Sequence, residues 1–73
     1  MDKVRCKFTC VNIESANNQS MIKLQAVTTG SEENDSFFKY TPWGNLEFGW
    51  IDEEKATQMF AVGKEYFIDI IKS

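Results

Sequence analysis

From Lys3 to Cys10 the chain alternates: Val4, Cys6, Phe8 and Cys10 are apolar, whereas Lys3, Arg5, Lys7 and Thr9 are polar. A period of two is that of a strand with one face in a core and the other in water. The alternation slips near Val11 and Asn12, which predicts a bulge there or an end to the strand by Ile13. The stretch "ESANNQS" supplies the Asn and Ser of a turn. Alternation resumes in "MIKLQAVTT", with Ile22, Leu24 and Ala26 on one side and Lys23 and Gln25 on the other, so a second strand should pair with the first as a hairpin. "GSEENDS" reads as a polar, acidic loop, "FFKYT" as a third short strand and "PWGN" as a turn. "LEFGWI" follows as a fourth strand with Leu46, Phe48 and Trp50 on a common face, and Gly49 inside it marks a bend, a bulge or a close approach of backbone or ligand.

The strand period then breaks. In "DEEKATQMF" Asp52 suits a helix N-cap, Glu53 and Glu54 suit the positive end of the dipole, and Ala56, Met59 and Phe60 fall on one face. Gly63 ends this short helix, and "EYFIDII" forms the last strand, with Tyr66, Ile68 and Ile70 opposite in sense to Phe67, Asp69 and Ile71. The predicted architecture is therefore mainly β. Residues 1–73 form a single domain, a small five-stranded antiparallel barrel of the SH3-like kind, with an OB-like barrel as the alternative and one short helix before the last strand.

A chain of 73 residues buries only about 60% of the surface that its unfolded form exposes, so its core is thin. Yet Phe37, Phe38, Tyr40, Trp43, Phe48 and Trp50 crowd into one short segment. A thin domain cannot bury both faces of its sheet alone. The surplus aromatic surface predicts a homo-oligomer interface, a platform on which a flat ligand stacks, or both where subunits meet around a pocket.

The formal net charge is -3, and the cations gather early: Lys3, Arg5, Lys7 and Lys23 precede an acidic remainder. An acidic total argues against general binding to duplex DNA, which relies on a broad basic footprint. A small anion held by local cations stays open. Arg5 and Lys7 suit phosphate contacts, with Thr9 and Thr41 as neutral donors, although a strip of strand cations is ordinarily a solvated face.

Catalytic chemistry is sparse. The sequence has no histidine, no Gly-rich phosphate loop, no GxSxG elbow and no paired CxxC. Glu47 and Asp69 are the carboxylates worth naming on strands, and strand carboxylates usually face solvent. Cys6 and Cys10 lie about 13 Å apart along an extended strand, beyond disulfide reach, and read as reduced core residues. No enzyme activity, metal or cofactor is expected. No apolar run approaches the ~20 residues of a membrane helix and the N-terminus shows no signal-peptide core, so a cytoplasmic location is expected.

Thr41, Pro42, Gly44, Asn45, Leu46 and Glu47, followed by Phe60, Gly63, Lys64, Glu65, Tyr66 and Asp69, form motifs close to TPxGxLE and FxxGKEYxxD. In this C-terminal half the chain resembles a group of small tailed-phage proteins. Some small phage proteins of this kind are anti-defence sponges, which bind the cyclic nucleotide signals of bacterial immunity such as CBASS without cleaving them. The resemblance implies a non-enzymatic phage accessory protein that sequesters a cyclic dinucleotide in the host cytoplasm. On the residues, stacking would fall to Phe38, Tyr40, Trp43 or Tyr66, and phosphate contact to Arg5, Lys7 or Thr41. The alternatives are a module that inhibits or recruits a host or phage protein through the aromatic surface, and a single-stranded nucleic-acid binder.

Overall fold

The computed structural model describes residues 3–73. The elements run β1 (Lys3–Ala16), β2 (Gln19–Ala26), α1 (Glu32–Phe37), β3 (Asn45–Asp52), α2 (Glu53–Met59) and β4 (Glu65–Ile71). The strands form one antiparallel sheet in the order β3-β2-β1-β4, curled into a half-barrel whose edges are β3 and β4.

The hairpin of β1 and β2 closes on Asn17 and Asn18, whose φ angles of 53° and 63° are both left-handed. Two such residues make the turn whose twist matches its flanking strands, and asparagine tolerates that region better than most residues. The bulge is at Val11: Cys10 pairs with Leu24 and Asn12 with Lys23, leaving Val11 unmatched. It resets the alternation rather than ending the strand, so Ile13 faces Ile22 and β1 continues to Ala16.

The core joins Cys6, Phe8 and Cys10 of β1 to Ile22, Leu24 and Ala26 of β2, with Ala56 of α2 laid over them. Ile13, Phe38, Leu46, Ile51, Phe60, Tyr66 and Ile68 close its margin. Both cysteines are free and buried, and burial pushes both thiols up, disfavouring the nucleophilic thiolate.

Two expectations are corrected. The segment "FFKYT" is not a strand: Phe37 ends α1 and Lys39–Thr41 is a bend, so the sheet has four strands rather than five. The cause lies upstream, in what had read as a loop. Ser31 adopts an extended N-cap conformation and its hydroxyl accepts from the Asn34 N–H, while Glu32, Glu33 and Asp35 occupy the first turn, where the dipole favours acids.

Trp50 likewise does not continue the inner face of β3. Ile22 pairs with Phe48 but Ser20 with Ile51, so Gly49 and Trp50 together oppose Met21. This second bulge gives Ile51 the place opposite buried Ser20 that unbroken alternation would give Trp50. A Cβ at Gly49 would meet nothing within 4 Å, so the glycine marks the bulge and not a close approach.

α2 is tied at its start by the Glu53 N–H, which donates to the Asn18 carbonyl at 3.0 Å. Its inner face presents Ala56, and Phe60 packs just beyond its end, while Met59 points outward, 63% exposed. Gly63, at φ 90°, turns the chain so that its N–H reaches the Cys10 carbonyl at 2.8 Å, leading into the β1–β4 ladder. No helix among the described residues is long and apolar enough to cross a membrane.

Candidate ligand-binding cleft

Cross-strand pairing sets one polar row over the sheet face opposite the core. Thr9 pairs with Glu65 on one side and Gln25 on the other, and Gln25 pairs with Asn45. Next to it Lys23 pairs with Glu47. The Ala26 N–H donates to the Gly44 carbonyl at 2.9 Å, which fixes the chain entering β3 against the end of β2. Pro42 is buried just before, and Trp43 between them stands 78% exposed.

The result is a cleft of about 210 Å³ lined by Gln25, Ala26, Thr28, Trp43, Gly44 and Asn45. A second hollow of about 330 Å³ adjoins it through Gln25 and Asn45 and extends to Val11, Lys23 and Glu47. Chemically this is an indole beside two carboxamides and a hydroxyl, with one cation and one anion at the far end. An aromatic face with amides beside it suits a flat ligand whose edge carries both donors and acceptors.

The seven residues singled out from the sequence do not form one site. Trp43 lines the cleft, and Tyr40 and Thr41 are exposed on the segment leading to it. Phe38 is half-buried against the core, its ring edge-on to Phe37 with centroids 5.0 Å apart. Tyr66 is structural. Its hydroxyl donates to the Met59 carbonyl and accepts from the Ala61 N–H, both at 2.9 Å, and its ring packs on Phe60 at 5.2 Å. Replacing it, Tyr66→Phe, should lower the free energy of unfolding by about 1–2 kcal/mol in urea melts, since two modest hydrogen bonds are lost.

Arg5 and Lys7 share the polar face but already have partners. Arg5 donates Nε and Nη2 to the two Asp69 oxygens at 2.7 and 3.0 Å, Lys3 lies 4.0 Å from the same carboxylate, and Lys7 lies 3.8 Å from Glu65. Hydrogen bonding to Arg5 holds the Asp69 carboxyl below its usual range, and Asp69 raises Arg5 in turn. Both cations also sit 5.2 Å from the centroid of Phe67. The basic strip is thus matched by acids of β4.

Reading the sequence alone passed over Gln25, Thr28 and Asn45. The signal was the polar side of the second strand, Lys23 and Gln25, directly followed in space by the start of β3. No family model, curated protein or solved structure matches this chain.

Proposed function

We propose that the protein is a non-enzymatic binding module that sequesters a flat, anionic ligand of the cyclic dinucleotide class. The supporting observation is Trp43, whose indole is held exposed beside Gln25, Thr28 and Asn45 by the buried Pro42 and the Gly44 carbonyl bond. In this reading a base stacks on Trp43, a contact worth ~1–3 kcal/mol, while the carboxamides read its edge. Phosphate contacts fall to Lys23 in the adjoining hollow and to Lys7, with Thr9 between them on the same face. Arg5 is the weaker candidate, because a phosphate would have to displace Asp69 from its fork.

The resemblance to small phage proteins bears on the same place, since of its residues Gly44 and Asn45 line the cleft and Asn45, Leu46 and Glu47 line the adjoining hollow. It supports a phage accessory role in the cytoplasm of the infected cell. The buried thiols with raised pKa and the ion-paired Asp69 suit a protein that holds its ligand without reacting with it.

A thermal-shift screen against linear and cyclic mono- and dinucleotides tests the proposal, because a ligand at 100 times its Kd stabilises the fold by ~2.7 kcal/mol. One cyclic species should raise the Tm and be recovered intact. Trp43→Ala should melt as the wild type does, the side chain being exposed, but bind about 5–150-fold more weakly, the equivalent of the lost stacking. Unaltered binding by Trp43→Ala, or no shift with any nucleotide, would overturn it. In the latter case the exposed Phe37, Tyr40 and Trp43 favour the second reading, a surface for a partner protein.

A further inference from the structure

The two edges of the sheet differ. β3 is interrupted by its bulge at Gly49 and Trp50, a feature that spoils a continuous ladder with another strand. β4 pairs with β1 through seven consecutive residues without a break, and contains neither proline nor glycine. Edge strands are ordinarily guarded by charges aimed at an incoming strand. Here both acids of β4 are engaged by cations of β1, Asp69 by Arg5 and Lys3 and Glu65 by Lys7. Meanwhile Phe67, Ile70 and Ile71 are 52%, 53% and 67% exposed. A regular, apolar strand with its charges drawn inward is a template for another strand.

We infer that β4 pairs antiparallel with β4 of a second copy of this chain, about a two-fold axis at Ile68, joining the two half-barrels into one eight-stranded sheet. The second copy is the occupant that the charge pattern fits. The register that pairs all seven residues sets Ile68 against its own equivalent, Phe67 against the partner's Asp69, Tyr66 against the partner's Ile70, and Glu65 against the partner's Ile71. Every acid then meets an apolar residue, and each row across the sheet runs from a β1 cation through Phe67 and Asp69 to a β1 cation of the other copy. Moving the axis to Phe67 sets Glu65 against the partner's Asp69, and moving it to Asp69 sets that residue against itself. Like charges directly opposite destabilise a pair, so of these three registers the longest alone keeps the acids of β4 apart, and its one like-charge match, Lys64 against the partner's Lys72, falls beyond the two ends of the strand. This arrangement leaves β2, β3 and the Trp43 cleft free and does not depend on what binds there.

Sedimentation across the micromolar range should give twice the monomer mass. Ile70→Lys should reduce it to the monomer mass with a cooperative melt retained, and Ile71→Lys, more exposed still, serves should the first variant fail to fold. Met59→Lys, equally exposed but away from β4, should remain dimeric. The register is read by Ile68→Cys combined with Cys6→Ala, because Cys6 is the β1 residue opposite Ile68 and would compete for its thiol. The new thiol should form an intermolecular disulfide under mild oxidation while the buried Cys10 stays reduced. A wild-type monomer, a dimer indifferent to both β4 lysines, or no cross-link through position 68 in a folded dimer would overturn the inference.

Discussion

Asn34→Leu should remove about half of the stability of this domain. The Asn34 side chain, fully buried, accepts from the Lys7 N–H at 2.7 Å and donates to the carbonyls of Lys7 and Val27 at 2.8 and 2.9 Å. It stands where a continuing β2 would pair with β1, and completes the ladder with a side chain instead of a strand. The Lys7 carbonyl keeps a second bond from the Val27 N–H at 3.0 Å, but the Lys7 N–H and the Val27 carbonyl lose theirs. At about 1–3 kcal/mol for each stranded group, the loss is about 2–6 kcal/mol. A chain of 73 residues holds about 4–11 kcal/mol in all at about 0.05–0.15 kcal/mol per residue. Asn34→Asp keeps the acceptor for Lys7 but turns a carboxylate oxygen toward two carbonyls. Its carboxyl should therefore have a raised folded-state pKa, with stability regained as pH falls into the carboxylate range and lost again as it rises. Urea melts followed by circular dichroism measure both, and a loss under about 0.5 kcal/mol for Asn34→Leu would contradict this role.

Leu24→Ala should cost about 2–5 kcal/mol, the range for emptying a fully buried leucine site. Leu24 is wholly buried on β2, opposite Cys10 on one side and Leu46 on the other, so the cavity would open between three strands. A thin core has little else with which to fill it. Met59→Ala on the outer side of α2 should change stability by less than about 0.5 kcal/mol. Similar melts for the two variants would contradict the assignment of the sheet's inner face.

What could be read ahead of the structure followed from periodicity. Cys6, Phe8 and Cys10 of β1 and Ile22, Leu24 and Ala26 of β2 alternate with polar residues because each strand has one buried face, and they are the core. The slip at Val11 and the glycine at position 49 both proved to be bulges. The misreadings arose where a local signal outweighed residue type. "FFKYT" has the composition of a strand, yet the Ser31 cap and the first-turn acids start a helix that carries Phe37 to its end. Asn34 sat inside an apparently featureless polar run, and no pattern within that run reveals a side chain bonding to Lys7, 27 positions away. The cleft was half legible: Trp43 stood out by type and by its turn, but Gln25 and Asn45 come together only through the β2–β3 register. Tyr66 and Arg5 were chosen for what their side chains can do, and the fold uses those same capacities internally.

The most direct test of the account is a two-dimensional amide and indole NMR titration of the protein with the nucleotide that gives the largest thermal shift. The two tryptophans provide an internal comparison, Trp43 in the cleft and Trp50 at the β3 bulge. The account predicts saturable shifts of the Trp43 indole N–H and of the Gln25 and Asn45 side-chain amides, with the Trp50 indole unmoved. Shifts gathered on Trp50, or on the Arg5, Phe67 and Asp69 cluster, with the Trp43 indole unmoved, would contradict it.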